Sequence, residues 1–129
     1  MKDQKKSVIY QDLRNLYYYY PREISNLQRR SKTVALSTYN PKVDIFKCIT
    51  TLDYYHNQIQ SLVEKMRVIH KLMHIFTAKE WNMINFYLIR ELHINKCAEI
   101  TGVSPRTFFR YMEKLEKKYK EAKKDLARE

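Results

Sequence analysis

The scarcity of residues that break helices is the feature that most constrains how this chain can fold. Its 129 residues include a single glycine, Gly102, and three prolines. Tight β-hairpin turns need positive φ angles, which glycine adopts most readily, so a sheet of hairpins would have almost no suitable turn sites. Apolar residues make up 44% of the sequence, which is enough to build a small core. The sequence therefore predicts an all-α fold.

The charge of the chain restricts its partners. It carries 25 Lys and Arg against 14 Asp and Glu, a net charge of +11 at pH 7, and such an excess attracts nucleic acid or an anionic membrane surface. No run approaches the roughly 20 apolar residues of a membrane span, and residues 1–6 lack the apolar segment of a secretion signal. Cys48 and Cys97 have no CxxC spacing and are expected to be buried thiols. We therefore expect a cytoplasmic protein with no membrane partner.

The N-terminal segment, residues 1–43, combines helical patterns with a polar stretch. A first amphipathic pattern ends near Tyr20 and Pro21, and a second, shorter pattern follows it. Residues 31–43 are rich in Ser and Thr and contain an Asn-Pro pair that favours a turn. They predict a polar linker between the N-terminal helices and the next helix.

The central segment, residues 44–76, has apolar side chains at alternating spacings near three and four, as in a heptad seam. It predicts a long, coiled-coil-like amphipathic helix of about 45–50 Å. Because a small globular core does not need that length, we expect the helix to pair with a second copy or with the N-terminal helices. An ordinary amphipathic helix lying on a small core is the alternative. The seam residues are Ile49, Leu52, His56, Ile59, Val63, Met66, His70 and Met73.

The C-terminal segment, residues 77–129, carries the most specific pattern. Thr77 and Glu80 have the spacing of a capping box at the start of a helix. Further on, a short helix ends at Gly102, and Ser104 caps a last helix that has a proline in its first turn. This order predicts a helix-turn-helix followed by a basic tail.

Three positions near the glycine fit a tight corner between two helices. Ala98 is small enough for the helices to cross closely, Val103 can fill the angle between them, and Phe108 can anchor the last helix to the core. The opposite face of that helix then remains available for DNA.

Double-stranded DNA is the partner that this outer face is expected to bind. Arginine can form two hydrogen bonds to guanine, Thr or Phe can contact the methyl group of thymine, and Lys and Ser suit phosphates. A basic face that is merely solvated is the alternative. The candidate DNA-binding residues are Ser104, Pro105, Arg106, Thr107, Phe109, Arg110, Lys114, Lys117 and Lys118.

Catalysis, a cofactor and a metal site are not predicted. One glycine cannot form a phosphate-binding loop, and no carboxylate pair or nucleophile with its base stands at a readable spacing. His70 and His74 lie one helical turn apart but lack the Glu of an HExxH motif and nearby Cys ligands. The run from Tyr17 to Tyr20 could stack on single-stranded bases, although packing at an interface is the favoured interpretation. We therefore expect a protein that is not an enzyme.

Residues 77–118 resemble the helix-turn-helix of sigma-70 region 4, in which a preceding helix, a short AEIxGxS helix and a basic recognition helix follow in this order. With its N-terminal segment included, the chain is similar to the small phage-encoded late-transcription activators of the RinA and ArpU group. That resemblance implies a promoter-binding activator that works with host RNA polymerase in a bacterial cell, since no segment is available to melt DNA as a sigma factor does. In the N-terminal segment, the resemblance depends on Tyr20, Pro21, Leu27, Arg29 and Arg30.

Together these features predict a sequence-specific transcriptional regulator that binds double-stranded DNA as a homodimer or higher homo-oligomer. Two other functions stay open at this point. A phage DNA-packaging recognition subunit also combines a helix-turn-helix with oligomerising helices. A protein-interaction module would instead bind RNA polymerase without binding DNA.

Overall fold

Helices account for all regular secondary structure in the computed structural model, which describes residues 7–128. No strand occurs in that range, so the predicted all-α fold is confirmed. The elements in chain order are α1 (Val8–Arg14), a π-helical turn (Asn15–Tyr19), α2 (Tyr20–Ser37), α3 (Ile45–Met73), α4 (Ala78–Ile84), a second π-helical turn (Asn85–Ile89), α5 (Ile94–Thr101) and α6 (Pro105–Ala127).

These elements form two compact units. One consists of the described residues 7–14 and 69–128, and the other consists of residues 15–68. We call them the C-terminal unit and the central unit. Helix α1 lies within the predicted N-terminal segment, residues 1–43, but its contacts assign it to the C-terminal unit, together with α4, α5 and α6.

The C-terminal unit has a core of aromatic and aliphatic side chains. The rings of Tyr87 and Phe108 meet edge to face with centroids 5.8 Å apart, and those of Phe76 and Tyr119 stack at 6.0 Å. Phe108 and Tyr119 are completely buried. Burying such rings contributes several kcal/mol and fixes the side of α6 that faces the core.

Polar contacts join α1 to α6 in the same unit. The carboxylate of Glu116 accepts hydrogen bonds from the backbone N–H groups of Val8 and Ile9 and, at 2.7 Å, from the Ser7 hydroxyl. It thereby satisfies donors that the first turn of a helix leaves without partners. One turn further along α1, the buried Asp12 accepts hydrogen bonds from the Tyr119 hydroxyl at 2.5 Å and from the Lys123 ammonium at 2.9 Å.

The predicted linker at residues 31–43 is wrong in its first half, which is helical in the central unit. Helix α2 continues to Ser37, so residues 31–37 are helical. The Ser and Thr hydroxyls on which the linker prediction depended donate hydrogen bonds to backbone carbonyls one turn back. Thr33 donates to Arg29 O at 3.1 Å, and Ser37 donates to Val34 O at 2.6 Å. Because these hydroxyls are satisfied within the helix, they do not end it.

The pattern break predicted near Tyr20 and Pro21 also differs in the structure. Helical structure continues through this point, with a π-helical turn at Asn15–Tyr19 followed directly by α2. Pro21 follows closely on this π-helical turn, and because proline has no N–H, it cannot donate a hydrogen bond to a carbonyl one turn back.

Helix α3 provides the long central helix, with 29 residues and a length of about 43 Å. Its predicted seam is only partly covered within the chain: the Ile49 side chain is 48% exposed, and Leu52, Ile59 and Val63 are half-buried. Among the described residues, no helix combines the length and the hydropathy needed to cross a bilayer.

Candidate nucleic-acid interface

The start of α4 is held by the predicted capping box. The Thr77 hydroxyl accepts from the Glu80 N–H at 3.2 Å, and the Glu80 carboxylate accepts from the Thr77 N–H at 2.9 Å. The same carboxylate pairs with Lys118 on α6 at 2.9 Å. The Thr77 backbone hydrogen bond, followed by the hydrogen bond from Lys118, lowers the pKa of Glu80. This carboxylate therefore stabilises both the helix start and its contact with α6.

The turn between α5 and α6 is built around Gly102. This residue adopts a left-handed conformation with φ of 74°, and a side chain there would be strained even though a Cβ would meet no atom within 4 Å. Its N–H donates to Glu99 O at 3.2 Å, and the N–H of Val103 donates to Ala98 O at 3.0 Å. These bonds close the end of α5 in a Schellman-type arrangement.

The interior of the corner is closely packed. Ala98 and Phe108 are buried, as predicted, and Val103 is half-buried. Cys97 also points inward, and burial raises the pKa of its thiol. The buried face of α6 continues through Met112. Because this face is covered by the unit itself, the opposite face of α6 is directed to solvent.

The start of α6 uses two of the predicted contact residues for capping. The Ser104 side chain accepts from the Thr107 N–H at 3.1 Å and donates to the Thr107 hydroxyl at 2.9 Å. Pro105 occupies the first helical turn. The Ser104 hydroxyl proton is therefore already engaged, while the Thr107 hydroxyl retains a proton that it can donate to another group.

Three predicted cationic residues form a row along the outer face of α6. At 100° per residue, Arg106, Arg110 and Lys117 lie within about 40° of one another and extend over about 16 Å. All three are exposed. Among the described residues, none of them has an ion-pair or hydrogen-bond partner. We call these three residues the basic row.

Other predicted contact residues flank the basic row. Lys114 is exposed beside a small groove of about 190 Å³ between α4 and α6, and the Phe109 ring is 44% exposed. Glu113 lies close to the row and is also exposed. The face therefore combines cations, an apolar ring and one hydrogen-bond acceptor, which are the groups that read base edges.

Lys118 lies apart from the basic row. Its ammonium bonds to Glu80 and lies 5.8 Å from the centroid of the Phe76 ring, on the side of α6 that faces α4. A cation with an intramolecular partner gains less from a phosphate, because that partner must be released. The sequence alone did not show this contact, since 38 residues separate Lys118 from Glu80.

No metal site is found among residues 7–128. The rings of His70 and His74 are 4.9 Å apart, but Nδ1 of His74 lies 3.0 Å from the carbonyl oxygen of His70 and is engaged there.

Comparisons with protein-family models, curated proteins and solved structures give no match to this chain.

Proposed function

We propose that this protein is a sequence-specific regulator that binds double-stranded DNA through α6, as a phage-type activator of late genes acting with host RNA polymerase in the bacterial cytoplasm. The observation that carries the proposal is the basic row, three exposed cations along one face of α6 that have no intramolecular partner among residues 7–128. Its role is binding and not catalysis.

The proposed contacts follow from the position of each side chain along α6. Arg106 and Arg110 lie in the first two turns, where a recognition helix meets base edges, and a guanidinium can bond guanine O6 and N7 together. Lys114 and Lys117 lie further along and suit phosphates, which position the protein without carrying sequence information. The exposed part of Phe109 can contact a thymine methyl group.

Self-association is the second part of the proposal. The half-covered seam of α3 suits a second copy of the chain, because a repeat of apolar residues with spacings of three and four packs against an equivalent helix. Two copies would present two α6 helices to a DNA site with related halves.

Titration of DNA binding tests the proposal. Fragments selected from the genome that encodes the protein would supply the specific duplex, and a scrambled duplex would supply the reference. We expect Arg106→Ala and Arg110→Ala each to cost about 1–3 kcal/mol of specific binding. Arg67→Ala is the matched control, because Arg67 pairs with Glu64 at 2.8 Å on α3; it should leave specificity unchanged.

The outcomes separate the functions that the sequence leaves open. Recovery of promoter fragments supports the regulator, whereas recovery of a packaging site would assign the same interface to DNA packaging. Unchanged specific affinity in both arginine variants would rule out α6 as the reading helix. Absence of binding to every duplex at low salt would contradict DNA binding altogether.

A further inference from the structure

A second cationic site lies in the central unit, away from α6 in the sequence. A groove of about 500 Å³ runs between α2 and α3. Hydrogen-bonding side chains make up most of its lining, and the residues that line it are Asn26, Arg29, Arg30, Thr33, Val34 and Tyr55.

The groove has positive charge without a counter-charge. Arg29 and Arg30 are exposed, and no carboxylate is among the described residues that line the groove. Within residues 7–128, Arg29 bonds only to the amide oxygen of Asn26, at 2.6 Å, and Arg30 has no polar partner. Elsewhere in the central unit Arg67 is paired with Glu64. The two guanidiniums are therefore available to an anion from outside the chain.

The donors lie on one side of α2. At 100° per residue, Asn26, Arg29, Arg30 and Thr33 fall within an arc of about 100°, and they extend over about 10 Å along the helix. Tyr55 of α3 adds a hydroxyl from the other wall of the groove. A row of this length can meet more than one phosphate of a nucleic-acid strand, because strand charges follow one another every 3.4 Å of helix axis.

We propose that this groove is a second site for nucleic-acid phosphates, which adds sequence-independent affinity to the reading of bases by α6. The inference rests on the proposed function. It names a surface that α6 does not include, and it assigns to Arg29 and Arg30 the role of holding the sugar–phosphate backbone.

The lining favours phosphates over an acidic protein segment. Protein interfaces bury an apolar core, and Val34 and the ring of Tyr55 are the only apolar groups among the described residues that line this groove. Guanidinium, amide and hydroxyl donors are the groups that commonly contact phosphate oxygens. The net charge of +11 adds a long-range attraction for a polyanion.

Salt-dependent DNA binding by the full chain tests the inference. Each phosphate contact contributes about 0.9 to the slope of log affinity against log salt. The double variant Arg29→Gln/Arg30→Gln should therefore bind specific and scrambled duplexes with a slope that is less steep by about 1.8. Each doubling of the salt concentration would then reduce the ratio of wild-type affinity to variant affinity by about 3.5-fold.

Two control variants accompany the double variant. Lys32→Gln removes an exposed charge of α2 that does not line the groove, and its slope should equal that of the wild type. Arg29→Lys/Arg30→Lys retains both charges and should recover most of the slope. Circular dichroism of every variant should show the helicity of the wild type, because the substituted side chains are exposed.

An unchanged slope in the double glutamine variant overturns the inference and leaves α6 as the DNA-binding element. If polyglutamate binds the wild type and is lost in this variant while DNA binding is unaffected, the groove is a site for acidic protein and the inference is again wrong. If the wild type binds no duplex, the proposed function itself is contradicted, and the Arg106 and Arg110 variants would then show no loss of DNA affinity.

Discussion

Asp12→Ala tests whether α1 is an integral part of the C-terminal unit. The substitution leaves the hydroxyl of the fully buried Tyr119 without its acceptor at 2.5 Å, and a buried polar group without a partner costs about 1–3 kcal/mol. The bond from Lys123 is worth less, because the Lys123 side chain is 45% exposed and such pairs contribute about 0–1 kcal/mol. We expect a total loss of about 1–4 kcal/mol in the free energy of unfolding.

Urea unfolding followed by circular dichroism measures this loss. A double-mutant cycle with Tyr119→Phe isolates the bond between the two side chains, and its coupling energy should be about 1–2 kcal/mol. Asp125→Ala is the control on α6, because Asp125 is 75% exposed and its ion pair with Arg128 is long, at 3.9 Å. It should change stability by less than about 0.5 kcal/mol.

Equal stability of Asp12→Ala and Asp125→Ala would refute this reasoning. A coupling energy near zero would show that the Tyr119 hydroxyl finds another partner when Asp12 is removed. In either case α1 would not be held to α6 by this bond.

Four further perturbations have defined outcomes. Gly102→Ala should lower the free energy of unfolding by about 1–2 kcal/mol in urea titration, because alanine is strained at φ of 74°; an unchanged value would contradict the turn geometry. Phe108→Ala should cost about 3–5 kcal/mol in the same assay, since the ring is fully buried, and a loss below about 1 kcal/mol would contradict that burial. Glu80→Gln should cost about 0.5–1 kcal/mol at pH 7. The lowered pKa of Glu80 means that its ionised form stabilises the fold above pH 4.5 and that this contribution is lost as pH falls through the folded pKa, so a difference that persists at pH 2 would contradict the assignment. Ile49→Lys should shift sedimentation toward the monomer if α3 pairs with a second copy, and an unchanged distribution would place self-association elsewhere.

The helix ends of the C-terminal unit could be predicted because their determinants are local. A capping box, a left-handed glycine and a Ser cap each depend on residues within three or four positions of one another. Thr77, Gly102 and Ser104 all adopt the predicted roles. The burial of Ala98 and Phe108 followed from the same spacing.

The structure departs from the predictions where the sequence alone does not show which hydrogen-bond or packing partner a side chain has. A Ser- and Thr-rich stretch is typical of a linker, but the hydroxyls of Thr33 and Ser37 bond within α2. The π-helical turns add a residue to a helical turn and so shift the apolar spacing that a regular helix would give. The docking of α1 was missed because Asp12 and Tyr119 are 107 positions apart.

The distance between Asp12 and Tyr119 along the chain also affects when α1 can fold during synthesis of the protein. A ribosome adds roughly 5–20 residues per second, so about 5–20 s pass between the synthesis of Asp12 and that of its partner. During this interval Ile9 and Leu13 lack the α6 surface on which α1 later docks. The residues of α5 and α6 are themselves among the last to be made, so α1 lacks its docking surface for nearly the whole of translation. We therefore expect the C-terminal unit to complete its core only once α6 has been synthesised, and α1 to dock at that stage.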